Sequence, residues 1–166
     1  MEWLFYVEKG FWFGIGAIGF GVLFNVPLRT LFPIYVLGAI GGLAKVCLVE
    51  IGYGPVLATF VGAVIIGLLS HLAGWWKVSP PIVFSIPASI PMVPGIFTYK
   101  MMMGVIKLSG NPNPVEYSNI LSETVHNGML ALFMLLSLAV GAALPLLIVR
   151  KKSGKELQDL LKYRNE

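Results

Sequence analysis

Residues 81–99 constrain the fold of this chain most, because prolines and a glycine interrupt an apolar run long enough to cross a membrane. Pro87, Pro91 and Pro94 each lack the N–H that would hydrogen-bond to the preceding turn, and each ring crowds the carbonyl there. We therefore predict non-helical backbone over residues 87–95. Because lipid cannot satisfy the freed polar groups, the break must lie against protein or a water-filled cavity. We predict a polar cavity near the membrane midplane, where transporters bind their substrates.

The composition places the rest of the chain in the membrane as well. Of the 166 residues, 57% are apolar and only 12% are charged. About 20 apolar residues cross a bilayer core as one helix, and the sequence has five such runs, at residues 10–26, 31–49, 55–74, 82–108 and 122–149. We predict an all-α integral membrane protein with one domain over residues 1–152 and about five transmembrane helices, the fourth broken by proline and glycine. Residues 153–166 are predicted to form a short charged tail.

The distribution of charged residues predicts the orientation of the chain. If five crossings alternate, one side receives most of the basic residues, namely Arg29, Lys77, Arg150, Lys151, Lys152 and Lys155. The other side receives the acidic residues Glu2, Glu50 and Glu116. The positive-inside rule then predicts a cytoplasmic C-terminus and an external N-terminus. The same rule accounts for the net charge of +4, so the basic residues require no nucleic-acid partner.

Residues that could carry catalysis or hold a metal are few. Cys47 is the only cysteine, which excludes an intramolecular disulfide and a cysteine metal cluster. Glu123 and His126 have the spacing of half of a carboxylate-bridged metal site, but they also fit a polar pair at the outer end of the last helix. The sequence lacks the common metalloprotease, serine-hydrolase and phosphate-loop motifs. We predict that the chain is not an enzyme and has no cofactor and no metal site.

Small residues spaced four apart indicate close helix packing, because helices in lipid approach one another where side chains are missing. Such pairs are Gly10 and Gly14, Gly38 and Gly42, Ala58 and Gly62, and Ser137 and Gly141. They predict tight contacts within the chain or with a partner. With only five helices, we expect some of this small-residue surface to remain for a partner.

Three lysines fall within the predicted spans, and two of them, Lys45 and Lys100, lie away from the span ends, whereas Lys107 lies at the outer boundary of the fourth. An ammonium deep in lipid costs about 3 kcal/mol on insertion scales, so it normally faces a bundle interior and finds a partner there. Lys45 shares a helix face with Gly41 and Gly42, and Lys100 lies in the second half of the broken helix. The alternative for each is to extend its side chain to the outer interface. Either lysine, if it faces the cavity, provides a counter-charge for an anionic substrate.

The break has features that favour anion binding. Pro94 and Gly95 are suited to begin a new half-helix, whose free N–H groups at residues 95–97 would favour a carboxylate. Hydroxyl groups close in sequence belong to Ser85, Ser89, Thr98 and Tyr99. We predict a substrate site formed by Pro91, Pro94, Gly95, Ser89, Thr98 and Tyr99. The alternative is a proline-kinked helix that only packs against its neighbours.

Several motifs resemble those of one family. They are Phe24-Asn25-Val26-Pro27-Leu28-Arg29, Gly38-Ala39-Ile40-Gly41, Ala58-Thr59-Phe60, and Ile90-Pro91-Met92-Val93-Pro94-Gly95 with Tyr99. Together these motifs cover nearly the whole chain in order. The chain resembles the membrane half of the threonine/serine exporter (ThrE) family, in its short, split, YjjB-like form.

The resemblance implies a small-molecule exporter of threonine, serine or a dicarboxylate such as succinate, driven by the proton gradient across a bacterial or archaeal cytoplasmic (inner) membrane. It also implies a separately encoded larger membrane subunit with a soluble hydrolase-like N-terminal domain, with a homo-oligomer as the alternative. On this basis we extend the predicted substrate site at residues 87–99 by Lys45, Asn25 and Arg29. A second function class stays open, namely a non-transporting assembly subunit in which the same prolines and glycines dock a partner.

Overall fold

A computed structural model describes residues 2–110 and 113–164, and the regular structure within these residues is helical throughout. Two 3-10 turns, at Leu28–Thr30 and Ile90–Met92, adjoin the longer helices. The α-helices are α1 (Glu2–Leu23), α2 (Leu31–Glu50), α3 (Pro55–Lys77), α4 (Ile82–Ser89), α5 (Gly95–Ser109) and α6 (Pro114–Arg164). The predicted all-α fold is therefore confirmed.

Three helical segments in the described residues are long and apolar enough to cross a membrane, namely Leu28–Glu50, Pro55–Lys77 and Pro114–Pro145. The pair Ile82–Met92 and Gly95–Ser109 makes a fourth if the bent pair counts as one span. α1 is not among them, and its first turns carry Glu2, Glu8 and Lys9. The multi-pass membrane class agrees with the sequence prediction, while the fifth span stays a prediction.

The ends of the chain extend the predicted helices. α1 begins at Glu2, so residues 2–9 belong to the first helix rather than preceding it. α6 begins at Pro114, eight positions before the predicted start at residue 122, because proline is favoured in the first turn of a helix. α6 also continues beyond residue 152, so the predicted tail forms its last turns as far as Arg164. Residues 165 and 166 lie outside the described residues.

The predicted non-helical segment 87–95 is wrong in its extent. α4 continues through Pro87 to Ser89, and a 3-10 turn follows over Ile90–Met92. Non-helical backbone is confined to Val93 (φ −55°, ψ 139°) and Pro94 (φ −77°, ψ 60°). The residue before a proline is pushed towards extended backbone, and here only Val93, before Pro94, adopts it. At this point the helix axis bends by 51°.

The broken segment lies at the centre of the bundle. α4 packs against α1, α2 and α3, and the side chain of Met92 is fully buried with Phe84 and Ile66. α5 leaves this centre after the bend and packs mainly against α6, which also covers α3. Protein therefore surrounds the first half of the break, as expected for loosened backbone at membrane depth.

The small-residue faces make the contacts that hold this bundle together. A Cβ atom at Gly62 of α3 would lie 2.8 Å from the Gly41 carbonyl oxygen of α2. One at Gly141 of α6 would lie 2.8 Å from the Phe60 carbonyl oxygen of α3, and one at Gly38 would overlap Ala17 of α1. The expectation that these faces leave surface for a partner is therefore wrong, because their packing partners are within the chain.

Candidate functional site

A cavity of about 480 Å³ lies beside the helix break. Its walls come from α1, the last turns of α2, the start of α3, the break with the first turn of α5, and one residue of α6. The lining residues are Phe5, Phe13, Lys45, Val46, Val49, Glu50, Pro55, Pro91, Val93, Pro94, Gly95, Ile96, Phe97 and Met134. We call this space the Lys45 cavity.

Two side chains of opposite charge, Lys45 and Glu50, face an otherwise apolar lining. The remaining lining residues are aliphatic, aromatic, methionine, proline or glycine. The prediction of a polar cavity is therefore wrong for most of its surface. The arrangement suits a small ligand that carries charge at one end and carbon elsewhere, because each charged group of the ligand can meet a single charged side chain.

Lys45 is held by the break itself. Its Nζ donates a hydrogen bond of 2.7 Å to the Met92 carbonyl oxygen, which connects α2 to the last residue of the 3-10 turn. The chain turns sharply directly after this acceptor, where the Gly95 N–H donates to the Val93 carbonyl at 2.8 Å in an inverse γ-turn centred on Pro94. An ammonium has three donors, so the contact with Met92 leaves two for a ligand. Lys45 therefore faces the cavity rather than extending to the outer interface.

Glu50 is the last residue of α2 and also lines the cavity. It is exposed, and its Oε2 accepts a hydrogen bond from the Tyr6 hydroxyl of α1. Glu50 follows Lys45 by five positions, which corresponds to a rise of about 7.5 Å along the helix axis. The two charges therefore lie at different positions along α2 in the same cavity, and Glu50 is the more exposed of the two.

The hydroxyl groups predicted to contact substrate bond instead to their own helices. Ser89 is buried, and its Oγ donates to the Ile86 carbonyl at 2.9 Å. The Thr98 Oγ1 donates to the Pro94 carbonyl at 3.0 Å. The predicted free N–H of Gly95 is also occupied, by the γ-turn. Among the predicted site residues, the cavity brings together Lys45, Pro91, Pro94 and Gly95.

Tyr99 does not line the Lys45 cavity; it lines a separate, smaller cavity of about 120 Å³ between α5 and α6. Lys100, Lys107 and Glu123 line the same space. Lys100 is therefore not a second cation of the Lys45 cavity. Within residues 2–110 and 113–164, no three His, Cys, Asp or Glu side chains come together in a way that could hold a metal ion.

Asn25 and Arg29 lie at the other end of the bundle. Asn25 ends α1 in the left-handed conformation (φ 53°), with the Val26 N–H bonded to the Gly21 carbonyl as in a Schellman motif. The Arg29 Nη2 lies 3.4 Å from the Ser79 Oγ, which links the α1–α2 and α3–α4 connections. Arg29 precedes Lys45 by 16 positions, or about 24 Å along a helix. The structure therefore does not bring these two residues to the Lys45 cavity.

Comparison with known proteins identifies the family to which this chain belongs. The sequence model of a family described as "Threonine/Serine exporter, ThrE" matches residues 9–148. The matched region includes most of α1, all of α2 to α5, and α6 from its start at Pro114 to residue 148. It thus contains every residue of the Lys45 cavity except Phe5. No solved structure matches the chain.

Proposed function

Because this chain belongs to the threonine/serine exporter (ThrE) family, we propose that it is a subunit of a secondary exporter of small carboxylate-bearing metabolites. The candidate substrates are threonine, serine and a succinate-like dicarboxylate, and the driving force is the proton gradient. The observation that carries this proposal is the cavity at the helix break, with the Lys45 ammonium inside it.

In this proposal the substrate carboxylate binds Lys45. A hydrogen bond between an ammonium and a carboxylate is charge-assisted and stronger than one between neutral groups. The Met92 carbonyl fixes the position of the ammonium by its 2.7 Å hydrogen bond. The apolar walls then contact the carbon atoms of the substrate and limit the water around the charge, which strengthens the interaction.

The predicted orientation of the chain indicates the side of the membrane on which the cavity lies. Glu50 and Phe5 lie at the end of the bundle that the positive-inside rule assigns to the outside. With a cytoplasmic C-terminus in a bacterial or archaeal inner membrane, the cavity would open outward. We therefore propose that the conformation described here is the one that releases substrate. Loading from the cytoplasm then requires a second conformation, for which Val93 and Pro94 are the natural hinge because helical backbone is interrupted there.

We further propose that a larger membrane subunit with a soluble N-terminal domain completes the transporter. The support is the open side of the cavity, where Val93, Gly95 and Ile96 are exposed in this chain. Transporters commonly close their substrate site between two structural halves. A second copy of this chain is the alternative cover.

Substitutions at Gly95 test the proposal. A Cβ atom at this position meets nothing within 4 Å, and Gly95 lines the cavity. The Cβ of Gly95→Leu would therefore meet no protein atom, and the rest of its side chain would extend into space that the substrate needs. We expect Gly95→Leu to abolish export and Gly95→Ala to retain most of it. Both variants should unfold at an unchanged or higher temperature, since replacing a glycine at a compatible position stabilises by about 0.4–1 kcal/mol.

The measurement is efflux of labelled threonine, serine and succinate from intact cells that express the chain with and without the larger subunit. Membrane abundance of each variant is the control. Normal efflux by Gly95→Leu would remove the cavity from the transport path. Efflux that depends on the presence of the chain but on none of its cavity residues would favour the assembly subunit instead.

A further inference from the structure

The charges of the Lys45 cavity carry information about the ligand beyond its carboxylate. Lys45 has the Met92 carbonyl as its hydrogen-bond acceptor, and Glu50 has the Tyr6 hydroxyl as a donor. Both of these partners are neutral. Within residues 2–110 and 113–164, neither charge is paired with an opposite charge. The cavity thus offers a ligand one cation and one anion.

We infer that Glu50 is a specificity-determining residue, which accepts the ammonium of a ligand whose carboxylate binds Lys45. This inference rests on the proposed function and deepens it. A ligand with one group of each charge satisfies both side chains. A dicarboxylate satisfies Lys45 but brings its second negative charge towards Glu50, and such like-charge opposition is a common basis of discrimination.

The position of Glu50 supports this role over a purely structural one. Glu50 lines the cavity and is exposed, so a ligand can reach it, and the lining residues between it and Lys45 along α2 are the apolar Val46 and Val49. The Tyr6 hydroxyl uses one of its carboxylate oxygens. A carboxylate has about four lone-pair sites, so the group keeps acceptors for an ammonium. The bond to Tyr6 also restricts the conformations of the Glu50 side chain.

A ligand-side comparison isolates this interaction. Threonine and 3-hydroxybutyrate share their carbon chain, hydroxyl and carboxylate and differ by the ammonium. The affinities of threonine, 3-hydroxybutyrate and succinate are measured by equilibrium dialysis with the full chain in lipid nanodiscs, with and without the larger subunit, for the unmodified protein, Glu50→Gln and Glu50→Lys. Threonine and 3-hydroxybutyrate, each measured with the unmodified protein and with Glu50→Gln, form a thermodynamic cycle that reports the interaction energy between Glu50 and the ammonium of the ligand. Glu123→Gln is the matched control, because Glu123 is an exposed carboxylate that lines the smaller cavity instead.

We expect the unmodified chain to bind threonine at least about tenfold more tightly than 3-hydroxybutyrate, since hydrogen bonds to charged groups are of that size. Glu50→Gln should reduce this ratio to near one, mainly by weakening threonine. Glu50→Lys should shift the preference towards succinate, which loss of fold alone cannot produce. Glu123→Gln should leave the ratio unchanged.

Two results overturn the inference. The first leaves the proposed function intact, and the second overturns the proposed function as well. An unchanged ratio in Glu50→Gln and Glu50→Lys, in a chain that binds and exports threonine, overturns the role of Glu50 alone. Absence of both binding and export of threonine, serine and succinate in the unmodified chain, when it is expressed together with the larger subunit, overturns the proposed function and this inference with it.

Discussion

Replacement of Lys45 by methionine separates the structural contribution of the ammonium from its contribution to transport. Methionine keeps much of the length of the side chain and removes the charge and its three donors. The loss leaves the Met92 carbonyl without its 2.7 Å hydrogen bond from Nζ. A buried acceptor without a partner costs about 1–3 kcal/mol.

The same substitution removes an unfavourable term. A lysine at the centre of a membrane helix costs about 2.5–3.5 kcal/mol on insertion scales. Lys45 lies five positions before the end of α2 and faces a cavity, so the actual gain on removing it is smaller than that. The two opposing terms are of similar size. We therefore expect the free energy of unfolding of Lys45→Met to lie within about 1 kcal/mol of the unmodified value, a range set by the overlap of the two terms.

Transport should decrease even though stability is nearly unchanged. Removing the ammonium relieves its burial cost in the folded protein but gives the substrate carboxylate no new partner. Loss of hydrogen bonds between the ammonium and a carboxylate, worth about 1.5–3 kcal/mol, corresponds to roughly a tenfold to hundredfold loss of affinity. Thermal unfolding of the purified full chain and efflux of labelled substrate from cells would be measured in parallel. Lys100→Met is the control, since Lys100 is exposed and lines the other cavity.

Full efflux by Lys45→Met would refute the reasoning, because the ammonium would then serve only to hold the break. A large loss of stability would show that the Met92 contact outweighs the cost of the charge. In that case Lys45→Arg decides the matter, because arginine retains the charge and donors to the carbonyl with a different shape. Retained stability with lost efflux in Lys45→Arg would still assign the lysine to substrate binding.

Two further predictions concern packing and orientation. Gly62→Ala should destabilise the bundle by about 1–3 kcal/mol, as overpacking does, because its Cβ would lie 2.8 Å from the Gly41 carbonyl oxygen. Thermal unfolding tests this, with Gly95→Ala as the control because its Cβ meets no atom within 4 Å. Equal stability of the two variants would contradict the prediction. A reporter fused after Glu166 should be active in the cytoplasm because of the basic residues after residue 149, and activity on the external side would reverse the orientation and the proposed direction of the cavity.

The break shows which part of the fold was accessible from sequence. Three prolines within eight positions predicted an interrupted fourth helix, and the 51° bend confirms it. Its extent was not predictable from proline count alone, because a proline ring fits helical φ and removes only one hydrogen bond. Pro87 and Pro91 remain in helical turns, and only Val93 takes up the extended backbone that a following proline favours.

The candidate site was predictable only where its residues lie next to the break. Pro91, Pro94 and Gly95 are contiguous with it, and Lys45 was identified by its charge within an apolar span. Asn25 was included because of a sequence motif, and that motif instead ends α1.

Glu50 was not assigned to the predicted site for a geometric reason. Side chains five residues apart differ by about 140° around a helix, so periodicity does not place it beside Lys45. It reaches the same cavity because α1 packs along α2 and the Tyr6 hydroxyl contacts its carboxylate. Sequence reasoning about single helices cannot give such a contact, since it depends on how two helices pack.

The bend also bears on where a partner would bind. The glycines of the spaced small-residue pairs in α1, α2, α3 and α6 are occupied by contacts within the chain, so they are not the surface that a second subunit would cover. α5 differs, because after the 51° bend it packs mainly on α6 and leaves Ile96 and Val93 exposed beside the cavity. A subunit that covered this side would bury exposed apolar side chains and close the Lys45 cavity in the same step. The break that creates the cavity is thus also what leaves it open, which makes closure by a second chain the natural complement of this fold.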